Sequence, residues 1–217
     1  MKEIDAVIRV VNRQLIKIYN SNQPLKQRLG DMGEVFVKYA IKQCLFDQGF
    51  RVGKRGSKTF TIYTHYKAKK KKRKKKDKRG VDFYLKFRDD TGKTYRCFIE
   101  VKNWKHYTKG IPPYMFNESI LNRFVWYDIW VRRFWIVTMN KRNTKYIKDR
   151  CKRYTIGIIP ITQHITHIFL KPASLKPIMQ DFMLNFTDFL EGIVTGRIKK
   201  GRLLDVYRER WKDWRKR

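Results

Sequence analysis

The 217 residues carry 52 Lys and Arg against 19 Asp and Glu, a formal net charge of +33, and 42% of them are hydrophobic. That much apolar surface offsets the entropy of ordering the chain, which excludes a disordered polycation, and the length suits one domain with a sizeable core or a core with one appended element. The positive surplus draws polyanions from a distance, with nucleic acid the first partner to consider and an anionic membrane surface the second.

The longest apolar runs, such as "FWIVTM", fall far short of the ~20 residues that span a bilayer, so no transmembrane helix is expected. The opening "MKEIDAVIRVVNRQ" is broken by charge and offers no apolar signal core, which makes an intracellular location, cytoplasmic or nucleoid-associated, the expectation. Cys44, Cys97 and Cys151 are odd in number, far apart and never in a C-x-x-C pair. They read as small core hydrophobes, not as a zinc, iron–sulfur or disulfide framework.

In chain order, Ile4, Val7, Val11, Leu15 and Ile18 recur at helical spacing and predict an amphipathic helix over 4–19 that "SNQP" stops. A second helix is predicted from Leu29 to Gly49, its stripe formed by Met32, Val35, Phe36, Tyr39 and either Leu45 or Phe46, with Glu34 beside the stripe. "FRVGKRGSKTFTIYTHY" reads as strand, turn, strand. Residues 67–79 follow with eleven Lys or Arg and one Asp, a density of like charge that disfavours compact local structure. The run is either a plain solvated charge segment or a sequence-independent phosphate clamp, in which Lys70, Lys71, Lys72, Arg73, Lys74, Lys75, Lys76 and Arg79 would release counterions from DNA.

"VDFYLKF" and "TYRCFIEVKNW" are strand-like and flank "RDDTGK", whose Asp-Asp-Thr-Gly is turn chemistry, so an antiparallel hairpin is predicted. "IPPYMFNESILNRFVWYDIW" reads as a helix opened by Pro112 and Pro113, "RFWIVTMN" and "TIGIIPIT" as buried strands, and 174–195 as another amphipathic helix. A last basic helix carries Leu204, Tyr207, Trp211 and Trp214 on one face; the two Trp residues suit packing or dimerisation, or stacking on exposed bases. The order predicts an α/β fold, a mixed sheet flanked by helices. The segments divide as an N-terminal helix over 1–28, a core over 29–172 and basic C-terminal helices over 173–217.

Strand alternation sends Glu100 and Lys102 to one face and Val101 to the other. A hairpin closing at Asp90 to Gly92 brings Asp82 up to Glu100. Two carboxylates converging on a buried sheet repel unless a cation joins them, and oxygen ligands favour a hard ion, Mg²⁺ or Mn²⁺. With Lys102 beside them, that is phosphodiester-hydrolysis chemistry. The bland alternative is an exposed Glu100–Lys102 ion pair worth at most about 1 kcal/mol.

"GVD" followed by "IEVK" across a hairpin, after a Glu-bearing helix ending in "GF", resembles the PD-(D/E)xK restriction-endonuclease-like nuclease superfamily. The layout "GE…L…GFRV…RGS…GVD…IEVK", over roughly 29 to 140, looks like the archaeal Holliday junction resolvases. The resemblance implies a restriction-endonuclease-like sheet with extra N- and C-terminal helices. It makes Asp82, Glu100 and the Val101 carbonyl metal ligands, Lys102 the catalytic lysine, and Glu34 a helix acid on the metal or its water. It also places Ser57, after Arg55 and Gly56, near the active-site loop, with Arg55 and Ser57 toward DNA. Departures are Val81 at the nominal proline, Asn103 and Trp104 after the lysine, the basic loop before Asp82, and the terminal helices.

His164 and His167, three apart, fall on opposite faces of a strand and do not make a ligand pair; His106 is either a strand-end polar residue or a phosphate contact. No Walker-type loop is present, so no nucleotide cofactor is expected. The resulting expectation is a Mg²⁺- or Mn²⁺-dependent DNA endonuclease, on branched (Holliday junction) DNA as a homodimer if the resemblance extends to substrate. The alternatives are a non-catalytic architectural nucleic-acid-binding protein and a sequence-specific or transposon-associated nuclease of the same fold.

Overall fold

A computed structural model describes residues 2–66, 81–103, 133–138, 156–160 and 171–197. Helix α1 spans Lys2–Tyr19 and buries Ile8, Val11 and Leu15, with Ile4, Val7 and Ile18 partly covered, the stripe that the spacing predicts. Helix α2 spans Leu25–Asp47, starting directly after Pro24 and four residues before the predicted Leu29. The boundary drawn at 28/29 therefore falls inside a helix. At the other end Gly49, with φ +81°, ends α2 in the left-handed region that glycine enters without steric cost. Met32, Phe36 and Leu45 are buried, whereas Phe46 is nearly half exposed and sets its ring edge-on to Phe60.

Among the described residues one mixed sheet of six strands runs in sequence order: β1 (Arg51–Val52), β2 (Thr59–Tyr66), β3 (Val81–Arg88), β4 (Thr94–Lys102), β5 (Arg133–Thr138) and β6 (Ile156–Pro160). β2, β3 and β4 are antiparallel neighbours, while β1 joins β2, and β5 and β6 extend from β4, in parallel. The fold is thus α/β with a mixed sheet, as the element order predicts. The predicted helix over 112–130, the basic run 67–79 and the last basic helix with Trp211 and Trp214 lie outside the described residues.

The hairpin is fixed at its turn by one carboxylate. Asp89 accepts from the Thr91 hydroxyl (2.7 Å) and the Lys93 amide (2.9 Å) through one oxygen, and from the Tyr95 hydroxyl (2.9 Å) through the other. Burial alone would raise the Asp89 pKa; the Thr91 and Tyr95 hydroxyls and the loop amides outweigh it and hold it below the usual carboxylate value. Gly92, with φ +81°, completes the turn. The register that follows pairs Arg88 with Thr94 and Phe83 with Ile99.

Alternation sorts the hairpin cleanly. Phe83, Leu85, Phe87, Tyr95, Cys97, Ile99 and Val101 join the helices in one apolar core, while Tyr84 and Phe98 stack on the opposite face. Helix α3 (Pro172–Val194) enters the same core through Phe182 and Phe186, with Phe182 edge-on to Phe36 of α2. α1 and α3, read from the sequence as additions to a nuclease core, therefore share that core. Cys44 and Cys97 are buried within it as expected, and burial pushes the Cys44 thiol up to about 11; Cys151 lies outside the described residues. No described helix is long and apolar enough to cross a membrane.

Where α2 meets the end of β4 there is no room for a side chain on the helix. A Cβ on Gly33 would stand 2.8 Å from the Asn103 Cβ and 3.4 Å from a Val101 methyl, and Asn103 is itself anchored by donating its side-chain amide to the Leu29 carbonyl at 2.7 Å. An alanine at position 33 gains about 1 kcal/mol of helix propensity but must push α2 off buried, hydrogen-bonded neighbours, at an overpacking cost of about 1–3 kcal/mol. Gly33→Ala should therefore destabilise the protein by roughly 1 kcal/mol in urea titration. A gain in stability would mean that this contact does not limit the approach.

Candidate active site

Extending the β3–β4 register by one residue past Phe83 and Ile99 sets Asp82 opposite Glu100. Both lie on the face away from α1 and α2, and both are buried: Asp82 is 9% exposed, Glu100 0% and Lys102 7%. One Asp82 oxygen accepts the Val101 amide at 2.7 Å, a bond across the two strands that holds the carboxylate at the end of the hairpin. Lys102 pairs with Glu100 and also donates to the Val101 carbonyl at 3.2 Å. The exposed-pair alternative for Glu100 and Lys102 is corrected, because neither group faces solvent.

Electrostatics make the pair of acids costly. Burial, then the charge of Glu100, then that of Glu34 push the Asp82 carboxyl up to about 8, against the pull of Lys102 and the Val101 amide. At neutral pH Asp82 by itself would hold a proton. In a chain of +33, the described residues of this buried corner include more carboxyl groups, Asp82, Glu100 and Glu34, than Lys102 neutralises.

Glu34 reaches the corner from α2, its backbone fixed by the Gly33 contact next to it. It acts on Asp82 through its charge, and its carboxylate lies 3.8 Å from Nε2 of His65, a contact that becomes an ion pair when the imidazole is protonated. His65 had no role in the sequence reading. It stands in β2 between Thr64, paired with Phe83, and Tyr66, paired with Val81, and so shares the row of Asp82 and Glu100. Its φ of +47°, uncommon for a residue other than glycine, turns the strand end there. Only the β2–β3 register could have brought it to notice. Asn103 was likewise read as a departure from a motif, yet it is the anchor between β4 and α2.

The structure therefore brings Glu34, Asp82, Glu100, Val101 and Lys102 to one end of the hairpin. It does not bring Arg55 and Ser57 there. β2 runs antiparallel to β3, with Thr59 opposite Arg88 and the Lys58 amide on the Asp89 carbonyl at 3.4 Å, so the loop before β2 falls at the turn end. Six residues of strand, about 20 Å, separate that end from Asp82, and the placement of Ser57 near an active-site loop is corrected accordingly. Lys70, Lys71, Lys72, Arg73, Lys74, Lys75, Lys76 and Arg79 lie outside the described residues, as do His106, His164 and His167.

Two carboxylates and a main-chain carbonyl are hard oxygen donors, and the excess of negative charge fits a divalent ion. Among the described residues, however, no three His, Cys, Asp or Glu side chains converge closely enough to hold an ion by themselves, and the Val101 carbonyl is the further oxygen donor that they offer. On the helix face of the sheet, next to the corner, a cleft of about 480 Å³ opens between α1, α2 and the end of β2, and Glu34 and His65 belong to its wall. Burial raises the pKa of Asp31 in that wall, against the nearby His65 and the Gln23 amide. The chain matches no protein-family model, no curated protein and no solved structure.

The Asp82 shift sets a pH dependence. A carboxyl whose folded pKa exceeds its ordinary value of 3.8 favours the fold most below that value, and the contribution is lost as pH rises toward about 8. With EDTA present, Asp82→Asn, which keeps an acceptor for the Val101 amide, should raise the melting temperature most at pH 8 and above. The gain should shrink toward nothing near pH 4; a difference independent of pH would rule out buried charge as the cause.

Proposed function

We propose that the protein is a metal-dependent endodeoxyribonuclease of the PD-(D/E)xK type, with Mg²⁺ or Mn²⁺ as cofactor. The observation that carries this reading is the placement of Asp82 opposite Glu100 on paired strands, with Lys102 on the same face and all three buried at one end of the hairpin. A salt bridge with no further role would gain little from such burial, since desolvating the charges cancels most of their attraction.

Asp82, Glu100 and the Val101 carbonyl would hold the ion, and Glu34 would act on its outer sphere from α2. When bound, the ion supplies a Lewis acid that polarises a phosphate oxygen and makes a nearby water more acidic. Lys102 is placed to stabilise the negative charge that grows on the phosphate as water attacks phosphorus and the bridging P–O bond breaks. The apolar neighbours Phe98, Ile99 and Val101 keep its strand rigid. The net charge of +33 supports DNA as the polymer held there, by counterion release and without regard to sequence. The layout resembling junction resolvases favours branched DNA cut by a homodimer, because paired nicks across a symmetric junction need two active sites.

The Lys102–Glu100 pair itself favours a second reading, in which that pair and a protonated Asp82 form a structural cluster in an architectural DNA-binding protein. Cleavage separates the two. A labelled four-way junction should be nicked in pairs with Mg²⁺ and left intact with EDTA, and Glu100→Ala should lower the rate at least about a hundredfold while junction affinity is kept. Cutting of linear duplex at one sequence would move the substrate to a restriction-type site. Binding without cleavage in either Mg²⁺ or Mn²⁺ would give the architectural reading precedence.

A further inference from the structure

The cleft beside the acid corner has a composition that neither reading uses. Its apolar floor is Ile18 of α1, Val35 of α2 and Phe83 of β3. Gln14, Ser21 and Gln23 bring amide and hydroxyl groups from α1 and the turn after it. Lys17 and Lys38 stand on its two walls, and Asp31 and Glu34 set two acids against them. Formal charges among the described lining residues therefore balance, although the chain as a whole is strongly cationic.

That balance decides what fits. A phosphate gains little from a lining in which two carboxylates offset the two lysines, and a hard cation meets those same lysines. A neutral, flat, polar group with an apolar face and hydrogen-bonding edges suits both floor and rim, and 480 Å³ lies in the size range of small-molecule pockets, roughly 300 to 1,000 Å³. A paired base cannot present itself so, because its faces are stacked and its edge is engaged; an unpaired one can. Glu34 links the two places, since it lines the cleft and its charge acts on Asp82.

We infer that the cleft between α1 and α2 takes one unpaired nucleobase of the DNA strand presented to the Asp82–Glu100 corner, an inference that rests on the nuclease reading for the identity of the polymer. Selection of unpaired positions follows from the shape of the protein and needs no base sequence. Helix α1 becomes part of the substrate surface.

Binding is measured in EDTA, where cleavage does not intervene, by fluorescence anisotropy of a labelled duplex in two forms: with one unpaired bulge nucleotide, and with an abasic bulge of identical backbone. The intact base should tighten binding roughly tenfold, the scale of one base contact. The double variant Gln14→Leu/Val35→Leu, which replaces a hydrogen-bonding amide edge with an aliphatic group and lengthens the floor by one methylene without charge or aromatic surface, should bring the ratio close to one with the melting temperature kept. Equal affinity for the two bulges in wild type, or a ratio that the double variant leaves unchanged, overturns the inference. Cleavage with Mg²⁺ is scored separately on the same DNAs. A base preference without cutting leaves the cleft assigned and removes the nuclease; cutting without a base preference removes the cleft alone.

Discussion

Helix α2 meets the end of β4 at Gly33, a position with no side chain. With Gly33 set against Asn103 and Val101, and Asn103 tied back to the Leu29 carbonyl, the helix is held at a fixed height over the sheet end. Much else follows from that height. Glu34 is the next residue along, so its carboxylate is delivered toward Asp82 and His65 by a backbone that cannot retreat without breaking a buried hydrogen bond. α1 packs on α2, and the cleft lies between these helices and the end of β2.

The acid corner works against this rigidity. Asp82 and Glu100 repel at close range in a low-dielectric setting, and among the described residues Lys102 offsets both. The sheet keeps them together because the strands are fixed by other contacts: the Asp89 turn, the Tyr84–Phe98 stack and the odd-numbered side chains under the helices. Local cost sustained by surrounding structure is the usual condition of a reactive site, and it is the physical reason for reading this corner as one.

What could be read from the sequence was what depends on local period. The stripes of α1 and α2, the hairpin and its turn, the two later strands and α3 all announce themselves in spacing and turn residues, and the facing of Asp82 and Glu100 follows from the hairpin alone. The start of α2 was missed because Pro24 makes no side-chain cap and "LKQR" shows no apolar rhythm. The position of Arg55 and Ser57 was misjudged because it depends on the direction of β2 relative to β3, a pairing across residues 67–80 that spacing does not encode. His65, Gly33 and Asn103 are silent in one dimension. Their meaning arises only when helix, strand and neighbouring strand meet, and no short-range pattern carries it.

The turn at Asp89 has a bearing on how such a chain can change. Side chains alternate with a period of two, so a single residue gained or lost between Arg88 and Thr94, if the strands re-paired to suit it, would put Val101 or Ile99 where Glu100 stands and turn the carboxylate into the apolar core. Length variation in this loop is therefore restricted to forms that restore the register, such as a bulge, although the loop lies about 20 Å from Asp82. Surface loops ordinarily drift in length with little effect. Here a five-residue loop is bound by the geometry of a site that it never touches, and its length is as much a part of that site as the acids themselves.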